Sequence, residues 1–473
     1  MAHNCLSIAA SDSISGAGLQ ADLKTFNNFG CNLFCVATAI TAQNRHGVID
    51  IEEVSADSIA AQIAAVTSDA SIRVIKIGML YSKHAISIVA ELLHDHAATV
   101  ICDPVVLSSS GTSMLADIEL FKQAILPHVD ILTPNLRELE LLTGTDDIDA
   151  AISDLLHIGV KNIIAKGGHS DDKLYSSDYV VTTNNKFYLH NYRLNTSTYH
   201  GSGCVFAAAI GAAIAKGADL AEACIHAKIY IHQAIRLSIA DGSGNVVCSY
   251  PAYNYQDIPW ISSLAYGYKF VFPKCPQLGL YPVVDSLAWI KKLLPLGIKT
   301  IQLRIKDKPA TYIEQEIEQA VILCKQYKVR LFINDYWQLA IKYQAYGVHL
   351  GQEDLSDANL AQIHAAGLFL GISNHSLYEL ARAHAIRPSY IACGPVFHTQ
   401  SKVMPWIPQG VDACLLWSKL LPHYPLVAIG GINLANIKYL TKSGIKNIAV
   451  ISAITKSKNY IQVVKKLMQA TQN

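Results

Sequence analysis

With 473 residues, 51% of them hydrophobic and 16% charged, the chain is long enough for two cores and too apolar to stay disordered. Its 38 basic and 37 acidic side chains nearly cancel, which excludes the broad positive field that nucleic acid or an anionic membrane surface needs. The longest apolar helical stretch, Gly203 to Ala215, falls short of the roughly 20 residues of a membrane span. No secretory signal opens the chain, and the eleven cysteines include no CxxC pair, so a reduced, cytoplasmic protein without membrane or nucleic-acid partner is expected.

In chain order, CLSIAAS, NLFCVATAI, RVIKIGML, TVICDPVV, DILTPN and NIIAKGG are short apolar runs separated by helical patterns. They predict a mostly parallel sheet in a doubly wound α/β domain. DYVVT and KFYLHNYRL then predict a hairpin, followed by two Ala-rich helices starting near Gly203 and Asp219. His200 to Cys204 spell HGSGC at the start of the first of these helices. The backbone N–H groups of Gly201, Ser202 and Gly203 would form an anion hole there, suited to a phosphoryl group in transfer. Cys204 lies in the first turn, where the helix dipole is expected to lower its pKa and fit it to take a proton from an alcohol. The plain alternative is that a GxG precedes many helices and that most buried cysteines only pack.

Around this motif stand ASD with SGAGLQAD, AQN at Gln43, KIGML at Met79, TPNLRE and KGGH. Together they resemble the hydroxymethylpyrimidine and phosphomethylpyrimidine kinases of the ribokinase-like fold, over roughly residues 3 to 250. The resemblance implies that Asp22, Gln43 and Met79 line a pyrimidine pocket, that Cys204 is the base, and that Lys166 lies near the phosphates of ATP. Asn135 and Glu138, one helical turn apart, would position Mg2+. The family's AGSDPSGGAG is AASDSISGAG here, with Ala10, Ser13, Ile14 and Ser15 at altered positions, and Val106 stands where Met is usual. A Cβ at Ala10 adds bulk beside the pyrimidine, and Ser15 loses the backbone freedom of glycine.

A Pro- and Tyr-containing stretch without periodicity follows, giving expected boundaries of 1–255 for the kinase-like domain, 256–276 for a linker and 277–473 for a second domain. In that domain LGLYPVVD, TIQLRIKD, RLFINDY, GVHLG, FLGIS, YIACGPVF, LVAIGGI and NIAVISAI make eight strands in about 200 residues, as in a (β/α)8 TIM barrel. Polar residues gather at the strand ends, where such a barrel places its active site. Arg304 and Lys306 alternate along the second strand and so bring two cations to one face. Asn334 and Asp335 end the third strand and Asp354 follows the fourth, an oxygen set that suits Mg2+. Thr399, Ser401 and Lys402 supply hydroxyls and an ammonium for a diphosphate. Gly430 and Gly431, with Ile451 and Ser452, match the phosphate site after strands seven and eight.

LYPVVD, QLRIKDK, LFINDYW, AYGVHLGQEDL, GIS, TQSK and AIGGI make this half similar to thiamine phosphate synthase, from Leu278 to about Ala470. That similarity implies that Gln302, Arg304, Lys306 and Asn334 hold the pyrimidine diphosphate, and that Asp335 and Asp354 hold Mg2+. Thr399, Ser401 and Lys402 would hold the pyrophosphate or the neighbouring phosphate, and Gly431, Ile451 and Ser452 the thiazole phosphate. Ser373 would lie near the reacting centre, where Arg304 and Lys306 assist catalysis. His349 is read as a satisfied strand histidine. Loss of pyrophosphate would leave a pyrimidine cation that the thiazole nitrogen captures, chemistry that needs positioning and electrostatics rather than a protein nucleophile.

The leading expectation is therefore a bifunctional transferase that phosphorylates hydroxymethylpyrimidine and its monophosphate, then joins the diphosphate to thiazole phosphate. One alternative keeps the synthase and makes the first half a non-catalytic pyrimidine binder. Another makes the barrel a relative of thiazole tautomerases, against which the NDY, QED and TQSK elements speak. A homo-oligomer is compatible with the sequence, which does not fix the oligomeric state.

Overall fold

A computed structural model describes residues 3–472, except 109–110, 169–171, 197–199, 241–249, 255–256, 266 and 399–407. The chain divides into two compact units, Met1–Tyr266 and Gly267–Asn473.

The first unit is built on a ten-stranded sheet of β1 (Asn4–Asp12), β2 (Asn32–Asn44), β3 (Gly47–Glu53), β4 (Val74–Ile77), β5 (Thr99–Cys102), β6 (Ile131–Leu132), β7 (Asn162–Ala165), β8 (Tyr175–Val181), β9 (Lys186–Tyr192) and β10 (Trp260–Ser262). The order is β10-β9-β8-β7-β6-β5-β4-β1-β2-β3. The six strands from β2 across β1 to β7 run parallel, while β3 and the β8–β9 hairpin are antiparallel additions. Strand β10 comes from within the 256–276 stretch and pairs with β9, so part of that segment is sheet. The central strands carry apolar side chains on both faces, and Leu6, Ile8, Ile75, Ile77, Leu132 and Ile163 meet in one core.

The two Ala-rich helices span Ser202–Ala215 and Leu220–Ala240. Ten of the fourteen residues of the first are buried, so it packs on all sides and has no solvent face. Its alanines and Gly211 allow this, since a Cβ on Gly211 would stand 2.9 Å from the Phe26 ring.

The second unit is a closed barrel of eight parallel strands, β11 (Leu280–Val284), β12 (Thr300–Leu303), β13 (Arg330–Asn334), β14 (Gly347–Leu350), β15 (Phe369–Asn374), β16 (Tyr390–Cys393), β17 (Leu426–Ala428) and β18 (Asn447–Val450). Alternate residues point inward, and Tyr281, Val283, Phe332, Tyr390, Val427 and Ala449 fill the interior. The rings fit because glycines face them: a Cβ on Gly347 would lie 2.6 Å from the Phe332 ring, and one on Gly371 would lie 2.0 Å from the Tyr390 ring. Among the described residues no helix is long and apolar enough to cross a membrane.

Candidate active sites

In the first unit β2 and β3 lie on one side of β1, and β4 to β7 on the other. In open α/β sheets this reversal leaves a crevice beyond the carboxyl ends of the strands. A cavity of about 960 Å³ occupies it. Its walls include Asp12 ending β1, Met79 after β4, Asp103 after β5, Asn135 after β6 and Lys166 after β7, with Gln43 and residues 201–204. The floor is apolar, where Ala10, Ala39, Met79 and Met114 pack together.

Gly201 precedes the helix Ser202–Ala215 with φ of 82° and, as glycine, contributes no side-chain cap to the first N–H groups. A Cβ there would fall 1.8 Å from the Gly16 carbonyl oxygen, so only glycine lets the altered SDSISGAG loop approach the anion hole. The loop is organised by Asp12, whose carboxylate accepts from the backbone N–H of Ile14, Gly16 and Ala17 at 3.0, 2.9 and 2.7 Å. Burial would raise the Asp12 pKa, but hydrogen bonds from His200, Gln43 and these amides outweigh it and hold it at about 2. Ser13 ties the loop to β2, its hydroxyl donating to the Gln43 carbonyl at 2.8 Å and accepting from the Gln43 N–H at 2.9 Å. Ser15 adopts a left-handed φ of 60°, the conformation in which a glycine would carry no strain.

Two expectations for this site change. Asp22 lies beneath the cavity rather than along it, fully buried, where it accepts from Lys76 Nζ at 2.9 Å and Ser7 Oγ at 2.6 Å. The Cys204 thiol is not lowered: burial pushes it up to about 12, Asp103 and Asp22 add to the rise, and Lys76 and the Gly18 amide offset only part of it. A helix dipole supplies roughly half a charge at the end of its axis, and here desolvation with two nearby carboxylates exceeds it.

Lys166 donates to Asp103 Oδ1 at 2.6 Å, and a Cβ on Gly203 would lie 3.0 Å from the Lys166 Nζ, so this cation stands beside the first turn of that helix. Asn135 and Glu138 form a reciprocal cap, Glu138 Oε2 accepting from the Asn135 N–H at 2.7 Å and Asn135 Oδ1 from the Glu138 N–H at 2.9 Å. Their side chains are thus committed in part to starting the helix Leu136–Thr143. Burial, with Asp103 nearby, raises Glu138 to about 7 against the pull of Lys166, which lies 4.0 Å away. Asp12, Lys76 and Asp103 were missed in the sequence, although Asp12 and Asp103 stand at the ends of recognised strands.

In the barrel, β12 stops at Leu303, so Arg304 and Lys306 belong to the loop that follows and not to the strand. They still flank the buried Ile305, and Arg304 is half-buried while Lys306 is exposed. Lys306 pairs with Asp335. Asp335 holds a left-handed φ of 64° directly after β13, a conformation costing roughly 1–3 kcal/mol for a residue other than glycine. Burial raises the Asp354 pKa, and the adjacent Asp335 carboxylate raises it further. A carboxyl group whose ionisation a neighbouring carboxylate disfavours fits a divalent cation held between the two. Among the described residues no group of three or more His, Cys, Asp or Glu forms a metal cage. The pair matches Mg2+, which takes few protein ligands.

Asn334 is buried at the end of β13, and Gln302 is 4% exposed inside the barrel, where its amide donates to the Tyr281 hydroxyl at 3.3 Å. His349 is buried and bonded at both ring nitrogens, to Tyr390 Oη at 2.7 Å and Ser373 Oγ at 2.8 Å. Burial, with Arg304 nearby, lowers it to about 4. After β17 both glycines have positive φ, and a Cβ on Gly431 would meet the His398 carbonyl oxygen at 2.5 Å. Ile451 precedes the short helix Ser452–Thr455 at the end of β18. Thr399, Ser401 and Lys402 lie outside the described residues.

Residues 12–248 match the family model described as phosphomethylpyrimidine kinase, and residues 280–454 the one described as thiamine monophosphate synthase. The chain belongs to the phosphomethylpyrimidine kinase family in its first half and to the thiamine-phosphate synthase family in its second. The thiamine-phosphate synthase of Photorhabdus laumondii is 56% identical over 192 residues, 41% of this chain and 89% of that protein. That of Serratia proteamaculans is 53% identical over 199 residues, 42% of this chain and 94% of that protein. A solved pyridoxal kinase of Staphylococcus aureus in complex with ADP matches with a TM-score of 0.50 and 29% identity, covering 55% of this chain and 98% of that one. Kinase half and synthase half together make this a bifunctional transferase of thiamine biosynthesis.

Proposed function

We propose that the kinase half uses ATP to phosphorylate hydroxymethylpyrimidine and then its monophosphate, and that the synthase half joins the resulting diphosphate to thiazole phosphate, releasing pyrophosphate. The observation that carries this is the pair of families on one chain, each with charged groups gathered at the carboxyl ends of its strands. The bound ADP of the pyridoxal kinase supports a nucleotide as phosphoryl donor. A supply of ATP supports a cytoplasmic enzyme.

In the kinase half the pyrimidine lies over the Met79 floor beside Gln43, with its alcohol toward Cys204. The N–H groups after Gly201 and the Lys166 ammonium receive the charge that develops on the phosphoryl oxygens. Cys204 takes the alcohol proton as thiolate, a form that Lys76 favours and the buried carboxylates oppose. Asn135 and Glu138 are placed to orient the water shell of Mg2+. In the synthase half Arg304, Lys306 and Asn334 hold the diphosphate, Asp335 and Asp354 hold Mg2+, and Gly431, Ile451 and Ser452 hold the thiazole phosphate. Thr399, Ser401 and Lys402 are assigned to the departing pyrophosphate on the sequence alone. Mg2+ there supplies charge stabilisation to the leaving group. Ser373 adds a hydrogen bond at the reacting centre.

The test is thiamine phosphate formation, followed by mass spectrometry, from hydroxymethylpyrimidine, ATP, Mg2+ and thiazole phosphate, beside a reaction supplied directly with pyrimidine diphosphate. Product in both is expected. Product from the supplied diphosphate alone would reduce the first half to a pyrimidine binder, and product in neither would overturn the synthase.

A further inference from the structure

A buried line of polar groups crosses the barrel interior among rings that are otherwise apolar. The Gln302 amide nitrogen meets Tyr281 Oη at 3.3 Å, Tyr281 Oη meets Tyr390 Oη at 3.0 Å, and Tyr390 Oη meets His349 Nδ1 at 2.7 Å. His349 Nε2 then meets Ser373 Oγ at 2.8 Å. Gln302, Tyr281, Tyr390 and His349 are all buried, whereas Ser373 is half-buried near the carboxyl end of β15, on the rim that holds the site. The bare Cα of Gly371 keeps Tyr390 in the line.

Each hydroxyl here has one proton to give and two lone pairs to accept with, so the favoured order of the line is the one that pairs every buried proton. An amide nitrogen can only donate. Tyr281 accepts from Gln302 and gives its own proton to Tyr390, which gives its proton to His349 Nδ1; were Tyr390 to donate to Tyr281 instead, the buried Tyr281 proton would have no acceptor in this line, the costlier arrangement. The imidazole proton is left on Nε2, and Ser373 Oγ accepts it.

We propose that Gln302, Tyr281, Tyr390 and His349 form a one-way hydrogen-bond relay that fixes the Nε2–H tautomer of His349 and turns the Ser373 hydroxyl proton outward, toward an acceptor atom of the pyrimidine diphosphate. The four are positioning residues, acting through Ser373, and the assignment of their target rests on the synthase function proposed above. The reverse direction would spend the Ser373 proton on His349 and leave only lone pairs facing a polyanion, a mismatch with Arg304, Lys306 and Asn334, the donors assigned to that polyanion.

The tautomer can be measured directly. In the full chain labelled with 15N-histidine, two-bond proton–nitrogen correlations at neutral pH distinguish Nε2–H from Nδ1–H. The His349 signals are those lost in His349→Gln, or shifted in Tyr390→Phe if the first variant does not fold. The expected result is Nε2–H in the unmodified protein and Nδ1–H in Gln302→Glu, whose carboxylate only accepts and so reverses the line. Nδ1–H in the unmodified protein, or no change of tautomer in a folded Gln302→Glu, overturns the relay. In synthase kinetics, Tyr390→Phe should lower kcat about tenfold with KM for the diphosphate little changed. It should cost nothing further in a Ser373→Ala background, and equal losses in both backgrounds would refute action through Ser373. If the unmodified protein makes no thiamine phosphate from supplied diphosphate, the synthase function fails, while the relay is still decided by the tautomer.

Discussion

Cys204, the base proposed for the kinase half, has its thiol held near 12 by burial and by Asp103 and Asp22. If the thiolate takes the alcohol proton, the kinase rate at saturating substrate should climb about tenfold per pH unit between pH 7 and 9. Cys204→Ala should remove that slope and on the order of 10²-fold or more of the rate. A flat profile in the unmodified enzyme would transfer the role to another group. Glu138 makes a separate prediction for stability. Its folded pKa of about 7 lies above the ordinary 4.5, so the native state binds a proton that the unfolded chain releases first. The stabilisation is complete below pH 4.5 and is lost as pH rises through about 7. Glu138→Gln keeps the cap and should flatten this decline, read as melting temperature against pH for the kinase half. Such couplings were not legible in the sequence. The spacing of Asn135 and Glu138 is visible there, but the approach of Asp103, Lys166 and Glu138 needs three strand ends brought together by tertiary folding.

At the scale of elements, strand ends were the readable feature. The closed barrel, the β8–β9 hairpin and both Ala-rich helices follow from apolar runs and turn residues whose period survives without tertiary information. What did not follow was where a strand stops: Arg304 and Lys306 lie past the end of β12, because hydrogen-bonded pairing and not alternation sets that boundary. Nor did the pattern show β10, three residues whose pairing with β9 is set by a partner roughly seventy positions away. The altered SDSISGAG loop reads differently once folded. The Asp12 carboxylate and the Ser13 hydroxyl supply local bonds that define a loop with fewer glycines than its family uses. The tightest contact of that loop is with Gly201. Gly201→Ala should therefore displace it, abolish kinase turnover and lower the melting temperature of the kinase half. Thiamine phosphate formation from supplied diphosphate should stay within twofold or so of the unmodified protein.

For the whole molecule, two units with separate cores predict separable losses. Asp354→Ala should abolish synthase turnover and leave ATP-dependent phosphorylation intact, and Cys204→Ala the converse. Mixing the two purified variants should restore thiamine phosphate from hydroxymethylpyrimidine, since the diphosphate can diffuse from one molecule to another. Failure of the mixture while each retains its single activity would mean that the intermediate does not leave the chain. The helix that opens on the anion hole bears on how such an enzyme can change over time. Because Ser202–Ala215 is enclosed by its own domain, with Gly211 against Phe26, its first turn shares a scaffold with the core. A mutation that shifts that first turn is expected to loosen the core packing as well. A change of substrate is therefore expected to cost least stability at a half-buried side chain that lines the cavity, such as Gln43, and most within the helix that opens on it.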